Sequence, residues 1–264
     1  MSVIIHHGWM PDDHDPNDHS YTPPPDILAA LPPRTDLRRD LPAAYHQGHA
    51  NSCTANAVAA ALDFLQKKEQ IPEPIAVSRL FIYYNGRKLG GTESANSAAY
   101  LRNILKGINK FGVCQESDWP YPYPYPRNHE QIEAVVTAPP PPRCYEAATL
   151  HTIEYQRMNR DLTHLKACLA QGYPFVFGFK MTDAFEDPDG PAKLWGHLPP
   201  PPLDEEPRGG HAVVGVGYDD AMQSFLIRNS WGPDWGIGGH FTMPYDVLMH
   251  PLRAHSFWTI RMFQ

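Results

Sequence analysis

The stretch Asn51-Ser52-Cys53-Thr-Ala-Asn-Ala-Val-Ala-Ala-Ala-Leu-Asp-Phe-Leu-Gln-Lys-Lys68 reads as the strongest helix in the chain. Alanine and leucine favour helix. Ala55, Val58, Leu62 and Leu65 recur on one helical face. Asn51 and Ser52 are good caps at its start, and Pro72 and Pro74 stop it. Further helices are predicted near 78–88, with Ser78 as cap, near 97–111, ended by Gly112, and near 161–171, from Asp161. Beyond these the period changes. Phe175-Val-Phe-Gly-Phe179, His211 to Tyr218, Ser224 to Ser230, His240 to Met243 and Ser256 to Met262 read as strands. Helices first and strands second predicts an α+β fold, in which a helical half and an antiparallel sheet half meet at a cleft.

The composition narrows the function. Lys and Arg number 22 and Asp and Glu 29, so the formal charge is −7. That balance argues against nucleic acid and against an anionic membrane surface as partners. No apolar run approaches the ~20 residues of a membrane span. The first ten residues lack the basic and apolar regions of a secretory signal, so a cytoplasmic location is expected. Hydrophobic residues make up 42%, enough for a substantial core. The 29 prolines are twice the usual ~5% and fall in clusters read as extended loop rather than helix.

Residues 1–36 form a proline-rich leader. His6, His7, His14 and His19 stand among Asp12, Asp13, Asp15 and Asp18 there. Such a cluster can hold a metal, but the composition favours a solvated, extended segment. No metal site and no cofactor are expected elsewhere. The four cysteines make no CxxC pair, and Gly215-Val-Gly217 is too short for a dinucleotide loop.

Cys53 is set apart by its place. It lies where a long helix begins, and the free N–H groups and partial positive charge there favour thiolate. His211 opens one late strand and Asn229 closes the next, with a short connection around residue 220. A hairpin would place the two side by side or within about a residue of register. An amide oxygen beside an imidazole fixes its tautomer. A thiol, a base and an orienting amide are the parts of covalent catalysis.

These blocks resemble the papain-like cysteine peptidases, closest to bacterial members with a short leader. Three carry the resemblance: Gln47-Gly-His-Ala-Asn-Ser-Cys53, Gly210-His211-Ala-Val-Val-Gly-Val-Gly217-Tyr218, and Asn229-Ser-Trp231-Gly-Pro-Asp-Trp235-Gly236. Gly112-Val-Cys-Gln-Glu-Ser-Asp-Trp-Pro-Tyr121 is similar to the family's segment in the helical half. The resemblance implies a two-lobed papain-like domain over residues 37–264, with a helical lobe near 45–145 and a β lobe near 146–264. It implies Cys53 as nucleophile, His211 as general base and then acid, Asn229 as its orienter, Gln47 as oxyanion donor and Trp231 as cover for the Asn229–His211 bond. The expected partner is a peptide or protein substrate, with the leader as a possible inhibitor. A transamidase using the same residues, and a binding protein with a blocked cleft, are the competing readings. The family's usual second cysteine is absent at Ala50, and Thr54 stands where an aromatic is usual.

Overall fold

The computed structural model describes residues 8–126, 128–148, 152–202 and 205–262. In the first half, β1 (Trp9–Met10) and α1 (Pro25–Ala29) precede β2 (Arg34–Asp36) and a 3-10 turn at Arg38–Asp40. Then come α2 (Cys53–Lys68), α3 (Arg79–Gly90), β3 (Ala99–Tyr100), α4 (Leu101–Phe111), α5 (His129–Thr137) and α6 (Pro142–Glu146). The second half holds β4 (Ile153–Arg157), α7 (Leu162–Ala170), β5 (Phe175–Met181), α8 (Asp183–Glu186) and α9 (Pro191–Trp195). It closes with β6 (Gly209–Asp219), β7 (Ser224–Arg228), β8 (His240–Pro244), α10 (Tyr245–Met249) and β9 (Ala254–Met262). Among the described residues no helix is long and apolar enough to cross a membrane.

The main sheet runs β4-β9-β5-β6-β7-β8, with β2 joined to β6, and every pair in it is antiparallel. Its central strands are apolar on both faces because each face is covered. Val176 of β5 and Ala212, Val214 and Val216 of β6 face the core built on α2. Phe175, Phe177 and Phe179 alternate with Val176, and Val213 alternates with its neighbours, to face a second, aromatic core. The period of two sorts one strand's side chains into two cores. α2 lies between sheet and helices and is buried almost all round, which its short alanine side chains permit.

The helix expected at 53–68 is found with those limits. Ser52 precedes it but makes no side-chain cap bond. Its hydroxyl instead lies 2.6 Å from the Tyr121 hydroxyl. Ser78 does cap α3, accepting from the Phe81 N–H, and Asp161 caps α7 through the His164 N–H. The helix expected from 97 begins at Leu101, because Ala99 and Tyr100 are drawn into pairing with β1. The proline clusters are not all loop. Pro25 and Pro142 sit at the first position of α1 and α6, where the N–H is unpaired anyway.

From Gly8 onward the leader is packed on the body at intervals rather than solvated throughout, with Asp13, His14 and His19 still exposed. Asp12 and Asp18 are buried against the body, and β1 pairs in parallel with β3. Among the described residues no group of His, Cys, Asp or Glu could hold a metal ion. His6 and His7 lie outside those residues.

Candidate active site

Cys53 begins α2 and is fully buried. Its Sγ accepts the Ala212 N–H at 3.3 Å, which sets the sulfur against the peptide that follows His211. His211 Nε2 lies 2.7 Å from Asn229 Oδ1, and both side chains are buried. The two do not face each other squarely across the hairpin. A register shift between Gly215 and Gly217 and the pair Val214–Arg228 would put Asn229 opposite Val213, diagonal to His211. A diagonal neighbour on one face is still within side-chain reach. Asn229 is held in turn: its Oδ1 also accepts the Ser230 N–H at 2.8 Å, and its own N–H donates to the Gly239 carbonyl at 2.9 Å.

Gln47 is brought to the same place by the segment after the hairpin. Its backbone N–H donates to the Ser230 carbonyl at 2.9 Å, and its Oε1 accepts the Ser230 hydroxyl at 2.6 Å. Its Nε2 donates to the Ala50 carbonyl at 2.8 Å, using one of that nitrogen's two hydrogens. The Tyr121 hydroxyl donates to the Gln47 carbonyl at 2.8 Å and meets Ser52 beside Cys53. Gln47 is thus fixed from both sides.

Trp231 leans over the imidazole, with ring centroids 5.1 Å apart. Phe185 packs on both rings, 5.8 Å from His211 and 4.9 Å from Trp231, and Phe179 meets His211 edge-on at 5.9 Å. These rings exclude water from the His211–Asn229 bond. Phe185 and Phe179 carry no motif. Only the apolar run of β5 could have indicated Phe179, and nothing indicated Phe185.

Behind this layer the buried Arg228 guanidinium donates to the Pro42 and Ala43 carbonyls at 2.6 and 2.7 Å. The Tyr45 hydroxyl donates to Asp63. Burial pushes the Asp63 carboxyl up to about 6, against the pull of Tyr45 and of Arg228.

The sulfur is not in a thiolate setting here. Burial pushes the Cys53 thiol up to about 12, and the N–H groups of Ala212, Thr54 and Cys53 pull the other way without offsetting it. The helix start is outweighed by desolvation. The leader lies directly against the sulfur. Gly8 lies so close that a Cβ on it would stand 2.5 Å from Cys53 Sγ. The Gly8 carbonyl accepts the Ala99 N–H at 3.2 Å. The next side chain, Trp9, is 4% exposed and rests directly on Gly178 and Gly210, stacked beside His255.

The family model described as "Papain family cysteine protease" matches residues 31–250. An uncharacterized peptidase C1-like protein of Acanthamoeba polyphaga mimivirus is 37% identical over 223 residues, which is 81% of this chain and 68% of that one. The crystal structure of xylellain, a cysteine protease from Xylella fastidiosa, superposes with a TM-score of 0.90 at 41% identity, over 98% of this chain and 97% of that one. The digestive procathepsin L 3 of Tenebrio molitor larval midgut superposes with a TM-score of 0.67 at 15% identity, over 99% of this chain and 77% of that one, a likeness of fold alone.

Proposed function

Because this chain belongs to the papain family of cysteine proteases, we propose that its hydrolysis of peptide bonds is carried by Cys53, His211, Asn229 and Gln47. The observation that carries this assignment is the His211–Asn229 bond of 2.7 Å, with the sulfur of Cys53 seated on the next peptide group. With Nε2 committed to Asn229, proton exchange with the sulfur falls to Nδ1. His211 takes the thiol proton, and the thiolate attacks the scissile carbonyl carbon. The oxyanion is met by the second Nε2 hydrogen of Gln47 and by the Cys53 backbone N–H. The imidazolium returns its proton to the leaving amine, giving an acyl-enzyme. Water attacks the thioester with His211 again as base, and the thiol is regenerated. Trp231, Phe179 and Phe185 keep bulk water from the imidazole throughout.

The same reading takes residues 1–36 as a leader that restrains the peptidase domain of residues 37–264. Gly8 sits against Cys53 Sγ and Trp9 against Gly178 and Gly210, and on this reading they stand where substrate would lie. The protonated thiol belongs to this covered state, and the thiolate–imidazolium pair forms when the leader lifts. The free thiols of all four cysteines support residence in a reducing compartment such as the cytoplasm.

The test is turnover of a fluorogenic peptide by the parent and by Cys53→Ala, His211→Ala and Asn229→Ala proteins. Cys53→Ala and His211→Ala should show no turnover above background with thermal unfolding unchanged. Persisting turnover in Cys53→Ala would discard the assignment.

A further inference from the structure

The leader meets the body at a second place, away from Cys53, and the chemistry there is charged. Asp18 is almost fully buried, with its side chain 6% exposed. Arg102 of α4 grips it with both ends of its fork, Nη2 at 2.6 Å and Nε at 3.0 Å, and Arg157 of β4 adds a third contact at 3.2 Å. Both guanidinium groups also donate to the Asp13 carbonyl, at 2.6 and 3.2 Å. Trp258 of β9 stands under both arginines, 5.6 and 5.5 Å from its ring.

Asp12 completes the arrangement. Its carboxylate accepts the Trp258 indole N–H at 2.8 Å and the Arg102 backbone N–H at 3.2 Å, and its own N–H donates to the Ser256 hydroxyl at 2.7 Å. α4 starts at Leu101, and Tyr100 at its cap position makes no side-chain cap bond. Asp12 therefore supplies, from 90 residues away, the anion that the open N–H groups of that helix need. Past Asp18 the backbone continues in register with β4: the Arg157 N–H donates to the His19 carbonyl at 2.7 Å, and the Tyr21 N–H donates to the Arg157 carbonyl at 2.8 Å.

We propose that the start of α4, Arg102, Arg157 and Trp258 form a receptor for an acidic peptide, separate from the catalytic residues, and that its occupant is the leader segment 12–21. The proposal rests on the reading that the leader covers Cys53, and it says what keeps it there. At Cys53 the leader offers apolar and backbone contacts: Gly8, the buried Trp9 and the short pairing of β1 with β3. At the receptor it offers two buried carboxylates to two arginines, a helix start and an indole N–H. Taking away one carboxylate leaves a buried guanidinium without its partner, the costly kind of loss. The leader then detaches more readily, although nothing at the catalytic residues has changed.

The experiment uses the full chain and reads the rate at which iodoacetamide labels Cys53, located by peptide mapping. Asp18→Asn should raise that rate about 10- to 100-fold, the loss of a charge-assisted bond. Arg102→Lys, which keeps the charge but not the fork, should raise it as well and stands in if Asp18→Asn unfolds. Asp15→Asn, at the solvent-facing Lys106 contact, should leave it as in the parent. A synthetic peptide of residues 8–21 added to the Asp18→Asn protein should slow labelling again, and the same peptide with asparagine at position 18 should not. If Trp9→Ala speeds labelling while Asp18→Asn and Arg102→Lys do not, the leader covers Cys53 but the receptor does not hold it, and the proposal is overturned. If Trp9→Ala also leaves the rate unchanged, the covering role itself falls.

Discussion

Gly178→Ala should expose the nucleophile without touching it. Gly178 lies in β5, paired with Ala212 of β6 and, after a register shift past Val176, with His255 of β9, and its φ is outside the left-handed region, so alanine suits that backbone. Its new Cβ would stand 1.8 Å from Cε2 of Trp9, 2.2 Å from Cδ2 and 2.3 Å from Nε1. An indole cannot move by half its width inside a closed slot, so Trp9 must leave. The leader then loses the burial of a tryptophan, about 3–5 kcal/mol on the scale of core truncations. At 1.4 kcal/mol per tenfold, the open population rises about 100- to 4,000-fold, up to the point where open molecules predominate. Each opening also matters chemically. A thiol held at about 12 is thiolate in about one molecule in 10⁵ at pH 7, and relief of burial lowers that barrier. The assay is iodoacetamide labelling at pH 7, mapped to Cys53, with Cys114, Cys144 and Cys168 as internal controls for unfolding because all three are buried. Labelling of Cys53 no faster than in the parent, with the thermal midpoint preserved, would refute the reasoning.

Gln47→Ala should lower kcat by about 10²–10³ with KM little changed, the cost of one oxyanion donor; steady-state kinetics on the leader-released enzyme checks it. In the parent, Cys53 alkylation should climb with pH through 10 with no plateau near 8.5, whereas Gly178→Ala should show a thiolate plateau at far lower pH, read from pH–rate profiles. Asp63 titrates at about 6 in the fold and near 3.8 when unfolded. A raised carboxyl contributes its stability fully below about 4 and loses it as pH climbs through about 6. Asp63→Asn should therefore flatten the thermal midpoint between pH 4 and 6.

The sequence made the catalytic half legible where local chemistry decides. An alanine-rich run, a serine cap and alternating apolar strands need only their neighbours, and α2, α3 and β5 appear with close to the expected limits. Motif blocks single out Cys53, His211, Asn229 and Gln47 as the proposed site, and the fold brings these four into one neighbourhood. The register of His211 against Asn229 was not legible, since a bulge at Gly215–Gly217 leaves no trace in the letters. The leader was misread for a related reason. Asp12 and Asp18 look like solvated acid until Arg102 and Arg157, 84 to 139 residues away from Asp18, are folded onto them. The thiol's setting was also hidden, because a helix start says nothing about what will lie on top of it.

Between the receptor and the catalytic half the leader has a span of a different kind. Tyr21 is buried and β2 is stitched to β6, but α1 between them buries no residue. A cut in α1 would leave both flanking anchors in place, so scission alone would not uncover Cys53. It would change the kind of equilibrium. Before the cut, the leader rebinds at a fixed effective concentration set by its tether. After it, the fragment is a ligand with a dissociation constant, and its occupancy falls on dilution. A nicked molecule would thus stay silent where it is crowded and wake where it is dispersed, a dependence on concentration that the unbroken chain does not have.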